Sequence, residues 1–381
     1  MKILLLAKGY PPTIGGVENY SYYIAEGLGK DHEVEVLTFD ESSESPNKSL
    51  DENANVLRIK HSKKELVNGW NMWRAIKAKI SEFTPDLIIA TTWKVGLPYA
   101  FLKSKYQIPF VLVAHGAEIT RHRSNSILMR LMRYVVAKTD LVITVSNFTK
   151  DIIQKYTMVH DKKVVTVSNG INLDPVKQME KKEARRELGI DTYSPVLLTV
   201  SRLDARKGHS KVLKLLPKLK EEYSDLLYVI VGNGPEREQL EVLSESLGLT
   251  EMDVQFAGFV ADEELPFYYN ASDIFIMLNE MKSEEDFEGF GFVFAEAGAY
   301  GKPAIGGDNA GPKEVIDHQE TGYLVNPDSE KEIIDVIRKL LNDEEHRNQM
   351  GKAAQEKVLS QFTVDVMVSK FENKLYQLIS K

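Results

Sequence analysis

Cysteine is absent from this chain of 381 residues. Its absence excludes disulfide bonds and thiolate metal sites, and it suits a reducing compartment. No apolar run reaches the roughly 18–20 residues that a membrane-spanning helix needs. The apolar start, Met1–Ala7, resembles a signal peptide, but it is short and Lys8 interrupts it. We therefore predict a cytoplasmic protein whose first apolar run is a buried strand.

Two ligand motifs are also missing. No Asp-x-Asp occurs in the chain, so the sequence indicates no divalent ion bridging phosphate groups, and we expect no metal cofactor. The dinucleotide fingerprint Gly-x-Gly-x-x-Gly is absent as well. Because the net charge is −8 and no nucleic-acid-binding motif is present, nucleic acid is not expected as a partner.

Charge is unevenly distributed along the chain. Residues 1–190 carry 28 Lys and Arg against 21 Asp and Glu, whereas the remaining residues carry 20 against 35. A basic half beside an acidic half indicates that the two halves meet different partners.

Short runs rich in Val, Ile and Leu alternate with helical patterns along the whole chain. Thirteen such runs are predicted strands, and their continuous hydrophobicity is typical of parallel sheets covered on both faces. Helices between the strands imply right-handed βαβ units. We predict an α/β fold with two doubly wound parallel-sheet domains. They span residues 1–175 and 190–362, and a last helix within 364–381 is expected to pack back on the first domain.

Two motifs of the first half follow predicted strands, where open α/β sheets bind ligands and where two facing domains would enclose a cleft. Gly15 and Gly16 precede a helix, so backbone can approach a ligand and helix N–H groups can receive an anion. His115 can donate a hydrogen bond or exchange a proton near neutral pH. Each motif taken alone also fits a structural role, as a glycine turn or a structural histidine.

A basic motif in the second half, Ser201–Gly208, follows a predicted strand and opens a helix. Arg202 offers a planar fork and Lys207 a point charge, which together suit a diphosphate. Fixed cations also stabilise the negative charge that grows on a departing diphosphate. The alternative is a solvated basic helix start, but cations at a helix N-terminus oppose the helix dipole, which favours an anion as the partner.

Two glutamates, Glu288 and Glu296, enclose a run of Gly, Phe, Val and Ala. Glu288 lies in a glycine-rich loop and can accept hydrogen bonds from sugar hydroxyls, while backbone N–H groups reach the same ring. Glu296 lies in the following helix and can accept from two vicinal ribose hydroxyls. Its apolar surroundings argue against a solvated role, because a buried carboxylate without partners is costly.

Together these motifs resemble the retaining glycosyltransferases of family 4, which have the GT-B fold of two facing, Rossmann-like, doubly wound domains. The resemblance covers essentially the full length, and the combination of two cations with two glutamates is more specific than any glycine turn. The residues that carry it are Gly16, His115, Asn169, Gly170, Arg202, Lys207, Gly232, Gly234, Glu288, Glu296 and Gly322.

The resemblance implies that the second domain holds a nucleotide-sugar donor. Arg202 and Lys207 would bind its diphosphate, and Glu296 its ribose. Glu288 would hold the transferred sugar together with backbone groups. The other residues implied for the donor site are Gly16, Gly232, the base-reading turn Gly258, Phe259 and Val260, and the sugar-binding loop Phe290, Gly291 and Phe292.

Catalysis is expected to depend on His115, Arg202, Lys207 and Glu288, with His115 beside the transferred sugar across the cleft. The family retains anomeric configuration, and front-face attack assisted by the departing phosphate is the hypothesis adopted. Similarity to the phosphatidylinositol mannosyltransferase branch indicates GDP-mannose as donor and a lipid-linked or glycan acceptor in cell-envelope glycoconjugate synthesis.

Two alternatives remain at this point. One is a UDP-sugar-dependent transferase of the same family with a soluble acceptor. The other is a non-catalytic nucleotide-sugar-binding partner subunit, which would be expected to lack residues such as His115, Lys207 or Glu288, all present here.

Two basic stretches of the first half are candidates for contact with an anionic membrane. They are Lys60–Lys79, which contains Trp70 and Trp73, and Arg121–Arg133. Both suit a helix lying at the membrane surface, which would make the protein peripheral at the inner face of the membrane. Both suit equally an amphipathic helix packed on the sheet with a solvated basic rim.

Overall fold

A computed structural model describes residues 1–13, 15–40, 53–121, 124–173, 176–281 and 287–380. Within these residues, thirteen strands form two sheets. The strands are β1 Lys2–Leu6, β2 Glu33–Asp40, β3 Ala54–Lys60, β4 Leu87–Ala90, β5 Phe110–Ala114, β6 Leu141–Thr144, β7 Val164–Thr166, β8 Val196–Val200, β9 Leu227–Val231, β10 Val254–Gly258, β11 Ile274–Met277, β12 Ala304–Gly307 and β13 Gly322–Val325.

Fifteen α-helices lie between and after these strands in the described part of the chain. They are α1 Gly16–Gly29, α2 Glu65–Glu82, α3 Trp93–Tyr106, α4 Ala117–Thr120, α5 Ser126–Lys138, α6 Asn147–Thr157, α7 Lys181–Glu187, α8 His209–Lys220, α9 Arg237–Ser246, α10 Leu265–Ala271, α11 Phe292–Ala299, α12 Pro312–Val315, α13 Glu330–Asn342, α14 Glu344–Gln361 and α15 Val364–Ile379. The strand–helix alternation read from the sequence is therefore confirmed.

Both sheets are parallel throughout. The first has the order β3-β2-β1-β4-β5-β6-β7, and the second has the order β10-β9-β8-β11-β12-β13. Every residue of β4, β5, β8, β9 and β11 is buried. Burial on both faces explains why these strands read as continuous runs of Val, Ile and Leu. The predicted α/β class with two doubly wound sheets is confirmed.

The chain divides into two compact units. Met1–Asn169 and Val364–Lys381 form the first, and Gly170–Thr363 forms the second. The stretch 176–189, which the sequence leaves between the two predicted domains, contributes α7 to the second unit. There Arg185 Nη2 lies 2.6 Å from Oδ2 of the buried Asp273, just before β11.

Helix α15 belongs to the first unit, as the sequence predicts. Met367, Phe371 and Leu375 recur at four-residue spacing, and all three are buried in the core of that unit with Ile24 and Leu28 of α1. This spacing aligns them on one face of a helix, so the apolar stripe of α15 completes the core that the first sheet and α1 leave open.

Each sheet has a point where the strand order reverses. In the first unit it lies between β1 and β4, and in the second it lies between β8 and β11. Loops that leave the carboxyl ends of two such neighbouring strands diverge to opposite faces and open a crevice. Several of the predicted site residues follow these strands, with Gly16 after β1, Arg202 and Lys207 after β8, and Glu288 with the loop next to it after β11. The others follow or end the neighbouring strands β5, β9 and β10, except Glu296, which lies within α11.

Candidate active site

Four neighbouring strands of the second unit, β9, β8, β11 and β12, send loops to the same sheet edge. The loop after β8 carries Arg202 and Lys207, and the segment after β11 carries Glu288. The loop after β9 carries Gly232, and the loop after β12 carries Gly311. Parallel pairing therefore gathers residues that are up to about a hundred positions apart in the chain.

Close backbone contacts determine the path of the loop after β8. The N–H of Glu280 donates to the Arg206 carbonyl at 2.7 Å, and the N–H of Lys207 donates to the Asp204 carbonyl at 2.9 Å. Gly208 ends the 3-10 turn Ala205–Lys207 with φ 75°, where a side chain would collide with the Leu278 carbonyl. The turn thus presents Arg206 and Lys207 side by side toward the segment after β11.

Glu288 forms ion pairs with both of these cations. Its Oε2 accepts from Lys207 Nζ and, at 3.1 Å, from Arg206 Nη1. Burial alone would raise the pKa of Glu288, but the charges and hydrogen bonds of Lys207 and Arg206 hold that pKa below its ordinary value. Glu288 is therefore ionised at neutral pH and can act only as an acceptor.

This cluster differs from the predicted arrangement in one respect. The sequence motifs assign Lys207 to a diphosphate and Glu288 to a sugar, whereas here the two side chains contact each other. Arg206 is a third member that the sequence analysis does not name. Its position beside Lys207 in the basic motif was the available signal.

Arg202 stands apart from this cluster. Its side chain is 70% exposed, and its Nε lies 3.6 Å from Asp204 Oδ1 in the same loop. An exposed guanidinium at the sheet edge is accessible to an anionic ligand without first breaking a buried ion pair.

His209, directly after this loop, is a further residue to which no sequence motif gave a role. It is buried, and its Nε2 lies 3.1 Å from Ser201 Oγ, so the hydrogen bond joins the two ends of the loop. Burial, with a smaller effect of the Lys207 charge, lowers the pKa of His209 to about 4. The imidazole is neutral at physiological pH and serves to hold the loop in place.

Glu296 lies inside α11 and is partly buried. Its Oε2 accepts a 2.6 Å hydrogen bond from the Tyr269 hydroxyl, and the Tyr269 ring stacks on Tyr300 with centroids 4.9 Å apart. Burial raises the pKa of Glu296, although the hydrogen bond from Tyr269 partly opposes this shift. The partner that a buried carboxylate requires is thus Tyr269, which the sequence analysis does not name.

The loop between the two glutamates would contact a ligand through its backbone groups and not through its side chains. Phe290 is buried, and its ring packs against Phe292 and Phe362 at centroid distances of 5.3 and 5.5 Å. Gly291 has φ 88° and directly precedes α11, so the first N–H groups of that helix lie in this loop. The predicted backbone role is compatible with this conformation.

The turn predicted to read a base lies at the end of β10. Gly258 has φ 71°, and its carbonyl accepts from the Gly232 N–H at 2.7 Å, which ties this turn to the loop after β9. Phe259 is 80% exposed, whereas Val260 is buried. The exposed aromatic ring of Phe259 offers a flat apolar surface of the kind that a planar ligand can contact.

In the first unit, the glycine loop and His115 lie at the corresponding sheet edge. Gly16 begins α1 after β1, and His115 follows β5. The Tyr20 ring packs edge-on against His115 with centroids 4.9 Å apart. Burial lowers the pKa of His115, although Glu118 and a hydrogen bond to the Thr91 backbone oppose this shift. His115 is neutral, and its Nε2 has no hydrogen-bond partner among the described residues.

The two candidate membrane-facing stretches differ in structure. On α2, the residues Met72, Ile76 and Ile80 are buried, while Leu66 is 91% exposed and Trp70 is 57% exposed. On α5, Met129, Met132, Val135 and Val136 are buried, and its exposed large apolar residue is Ile127. His122 and Arg123 lie outside the described residues. Of these two helices as described, α2 is the one that combines a packed face with a large exposed apolar face.

Two features are absent from the described part of the chain. No group of three or more His, Asp or Glu side chains there is arranged to hold a metal ion. Among the described helices, none is both long and apolar enough to cross a membrane.

Two family matches together account for nearly the whole chain. The family described as Glycosyltransferase Family 4 matches residues 14–175, and the family described as Glycosyl transferases group 1 matches residues 180–357.

Several curated proteins similar to the chain have names that state glycosyl transfer. N-acetyl-alpha-D-glucosaminyl L-malate synthase of Bacillus anthracis is 30% identical over 72% of this chain and 69% of its own. GDP-mannose-dependent alpha-(1-6)-phosphatidylinositol monomannoside mannosyltransferase of Mycobacterium tuberculosis is 26% identical over 98% of each chain. Among solved structures, Anabaena HepE in complex with UDP superposes with a TM-score of 0.82 at 21% identity, over 99% of this chain and 100% of that chain.

Proposed function

The chain belongs to the family 4 glycosyltransferases of GT-B fold and is a hexosyltransferase that uses a nucleotide-sugar donor; from this premise we propose that it retains anomeric configuration and transfers mannose from GDP-mannose. The observation that supports the donor site most directly is the cluster of Lys207, Arg206 and Glu288 at the edge of the second sheet. It brings a phosphate-binding cation and a hydroxyl-accepting carboxylate within contact of each other.

Each donor fragment has residues suited to it within the second unit. Lys207 and the exposed Arg202 would bind the diphosphate. Glu288 would accept from hydroxyls of the transferred sugar, and Glu296 from the ribose. The Gly258–Val260 turn would contact the base. Gly16 and His115 are assigned to the acceptor-side unit, where His115 Nε2 offers a hydrogen-bond acceptor.

In the proposed reaction, the acceptor hydroxyl attacks the anomeric carbon from the face on which the diphosphate departs. The bond from the anomeric carbon to the phosphate oxygen breaks, the bond to the acceptor oxygen forms, and the acceptor proton passes to the departing phosphate. Lys207 and Arg202 stabilise the charge that develops on the leaving group. This scheme gives retention without a covalent enzyme intermediate.

Mannose and GDP are favoured by the similarity to the Mycobacterium tuberculosis enzyme, whose name specifies both. A specific observation favours a second candidate, a UDP-sugar donor with a soluble acceptor. The Bacillus anthracis relative has higher identity and is named for N-acetylglucosamine and L-malate. The two candidates differ in the base, the transferred sugar and the acceptor, whereas the residues assigned above to the diphosphate and the ribose suit both.

A panel of nucleotides distinguishes these donors. We expect GDP and GDP-mannose to raise the melting temperature more than UDP, UDP-glucose or UDP-N-acetylglucosamine at equal concentration, because a ligand that binds the folded state more tightly stabilises it more. If only the uridine compounds raise the melting temperature, the second candidate is the correct one. The anomeric configuration of the product, read by NMR, tests retention.

A lipid-linked acceptor at the inner face of a membrane is the proposed context, and α2 is the surface that supports it. Leu66, Val67 and Trp70 form an exposed apolar face. The rings of Trp70 and Trp73 stack with their centroids 4.9 Å apart, and Lys77 Nζ lies 4.5 Å from the centre of the Trp73 ring. Indole rings beside cations are typical of helices at the interface of an anionic bilayer.

Vesicle flotation tests this surface. At low salt, the wild-type chain should float with vesicles that contain phosphatidylglycerol but not with phosphatidylcholine alone. Trp70→Ser combined with Leu66→Ser should abolish flotation, whereas Ile127→Ser on α5 should not. Equal flotation of all variants would assign binding to another surface, and the absence of flotation for the wild type would remove the membrane from the proposal.

A further inference from the structure

Arg206 and Lys207 are consecutive residues whose side chains reach the same carboxylate oxygen. Both bind Oε2 of Glu288, and within the described part of the chain Oε1 accepts no hydrogen bond. The two cations differ in exposure, since the side chain of Arg206 is 21% exposed and that of Lys207 is 10% exposed. One carboxylate therefore has two cationic partners and one unused acceptor atom.

The backbone around this contact is held from both sides. The Arg206 carbonyl accepts from the Glu280 N–H, and the Glu288 carbonyl accepts from the Gly311 N–H at 2.8 Å. At position 311 an added Cβ would lie 2.6 Å from the Glu288 carbonyl oxygen, so the approach requires glycine. Since β8, β11 and β12 are neighbours, the three loops support one another.

Donor binding changes which anions the two cations contact. On the proposed function, Lys207 turns to the diphosphate, which removes its charge from Glu288. The carboxylate is only 16% exposed, and a largely buried charge without a partner is costly. A second cation that stays with Glu288 removes this cost, and Arg206 has the geometry to do so.

We propose that Arg206 is a positioning residue, which holds Oε2 of Glu288 so that Oε1 faces the hydroxyls of the transferred sugar, and which does not bind the diphosphate. This inference rests on the proposed function of the same site. It assigns Arg206 to recognition of the sugar and Lys207 to recognition of the leaving group, although the two residues are adjacent in the sequence.

The test compares ligands with and without the sugar. Calorimetry measures the Kd of GDP, UDP, GDP-mannose and UDP-N-acetylglucosamine for the wild type, R206M, R206K and K207M. In R206M the Kd of the bound nucleoside diphosphate should stay within about twofold, while that of its nucleotide sugar weakens about tenfold. R206K should recover most of this loss. K207M should weaken both ligands, and R186M, on the exposed arginine of α7, should change neither.

The pH profile provides a second readout that a merely structural role would not change. Loss of a neighbouring cation raises the pKa of Glu288, so the acid limb of kcat/KM should move to higher pH in R206M and return in R206K. If R206M does not fold, R206Q supplies the same comparison.

Three outcomes would overturn the inference. They are an equal weakening of diphosphate and nucleotide sugar in R206M, an unchanged Kd for both, and an unshifted acid limb. If the wild-type chain binds none of the four probes, the proposed function is contradicted instead. That result depends on the wild type alone and not on the comparison with R206M.

Discussion

The hydroxyl of Tyr269 donates a hydrogen bond of 2.6 Å to Oε2 of Glu296. Because burial already raises the pKa of Glu296, removal of this donor in Tyr269→Phe should raise it further. If the ionised carboxylate binds ribose, nucleoside diphosphate affinity should fall several-fold near pH 6 and recover at higher pH. Calorimetry from pH 5.5 to 8 measures this. Tyr300→Phe keeps the stacked ring and is the matched control. A loss that does not vary with pH would contradict the assignment.

Lys207→Ala should depress turnover far more than acceptor binding. A fixed cation beside a leaving group contributes roughly 3–4 kcal/mol, which corresponds to a fall in kcat of about 10²–10³-fold, while the acceptor KM stays near its wild-type value. Steady-state kinetics with varied acceptor provide the measurement. Lys214→Ala, on the exposed face of α8, is the matched control. If kcat hardly changed, Lys207 would not act on the leaving group.

Asp273→Asn should destabilise the second unit by about 3–5 kcal/mol, since it leaves the buried Arg185 without its carboxylate. Burial would raise the pKa of Asp273, but Lys181 and Arg185 hold it below its ordinary value. A carboxyl with a depressed folded pKa stabilises the fold above its unfolded pKa of about 3.9, and this contribution is lost as the pH falls through the folded pKa. Urea unfolding of Asp273→Asn beside the exposed Asp335→Asn measures the difference; equal midpoints would contradict the prediction.

His209 should make the fold sensitive to pH in a different window. Its folded pKa of about 4 lies below the ordinary 6.5, so the unfolded state binds the proton first as the pH falls. Stability should then decline by about 1.4 kcal/mol per pH unit between roughly pH 6.5 and 4. In His209→Gln, which can keep a hydrogen bond to Ser201, this slope should be smaller. Denaturant midpoints at several pH values test it, and identical slopes would show that His209 is not responsible.

Much of the fold was predictable because local pattern and global architecture agree. Strands such as β4 and β5 are fully buried, so each carries an uninterrupted apolar run, which is typical of a parallel sheet covered on both faces. Helix α15 was predictable for the same reason, since its buried residues follow helical spacing. The glycine turns and the two glutamates follow strands, which places them at the sheet edge.

The partners within the site were less predictable. Tyr269 precedes Glu296 by 27 positions and looks like an ordinary core aromatic residue in the sequence. Arg206 stands in a basic run with Arg202 and Lys207, and the sequence alone does not distinguish the roles of the three cations. Whether α2 or α5 keeps an apolar face exposed also depends on packing, because both helices are amphipathic in sequence.

The sequence by itself determined the fold class, the order of strands and helices, and the set of charged residues available to a nucleotide sugar. It did so because burial imposes a regular spacing of apolar residues, and this spacing can be read within one short segment of the chain. Only the tertiary structure decided which charges meet. Lys207 and Glu288 come together because β8 and β11 are neighbours at the point where the strand order reverses, and the 3-10 turn then adds Arg206 to the pair. Contacts of this kind join segments about eighty residues apart, and no local pattern specifies them.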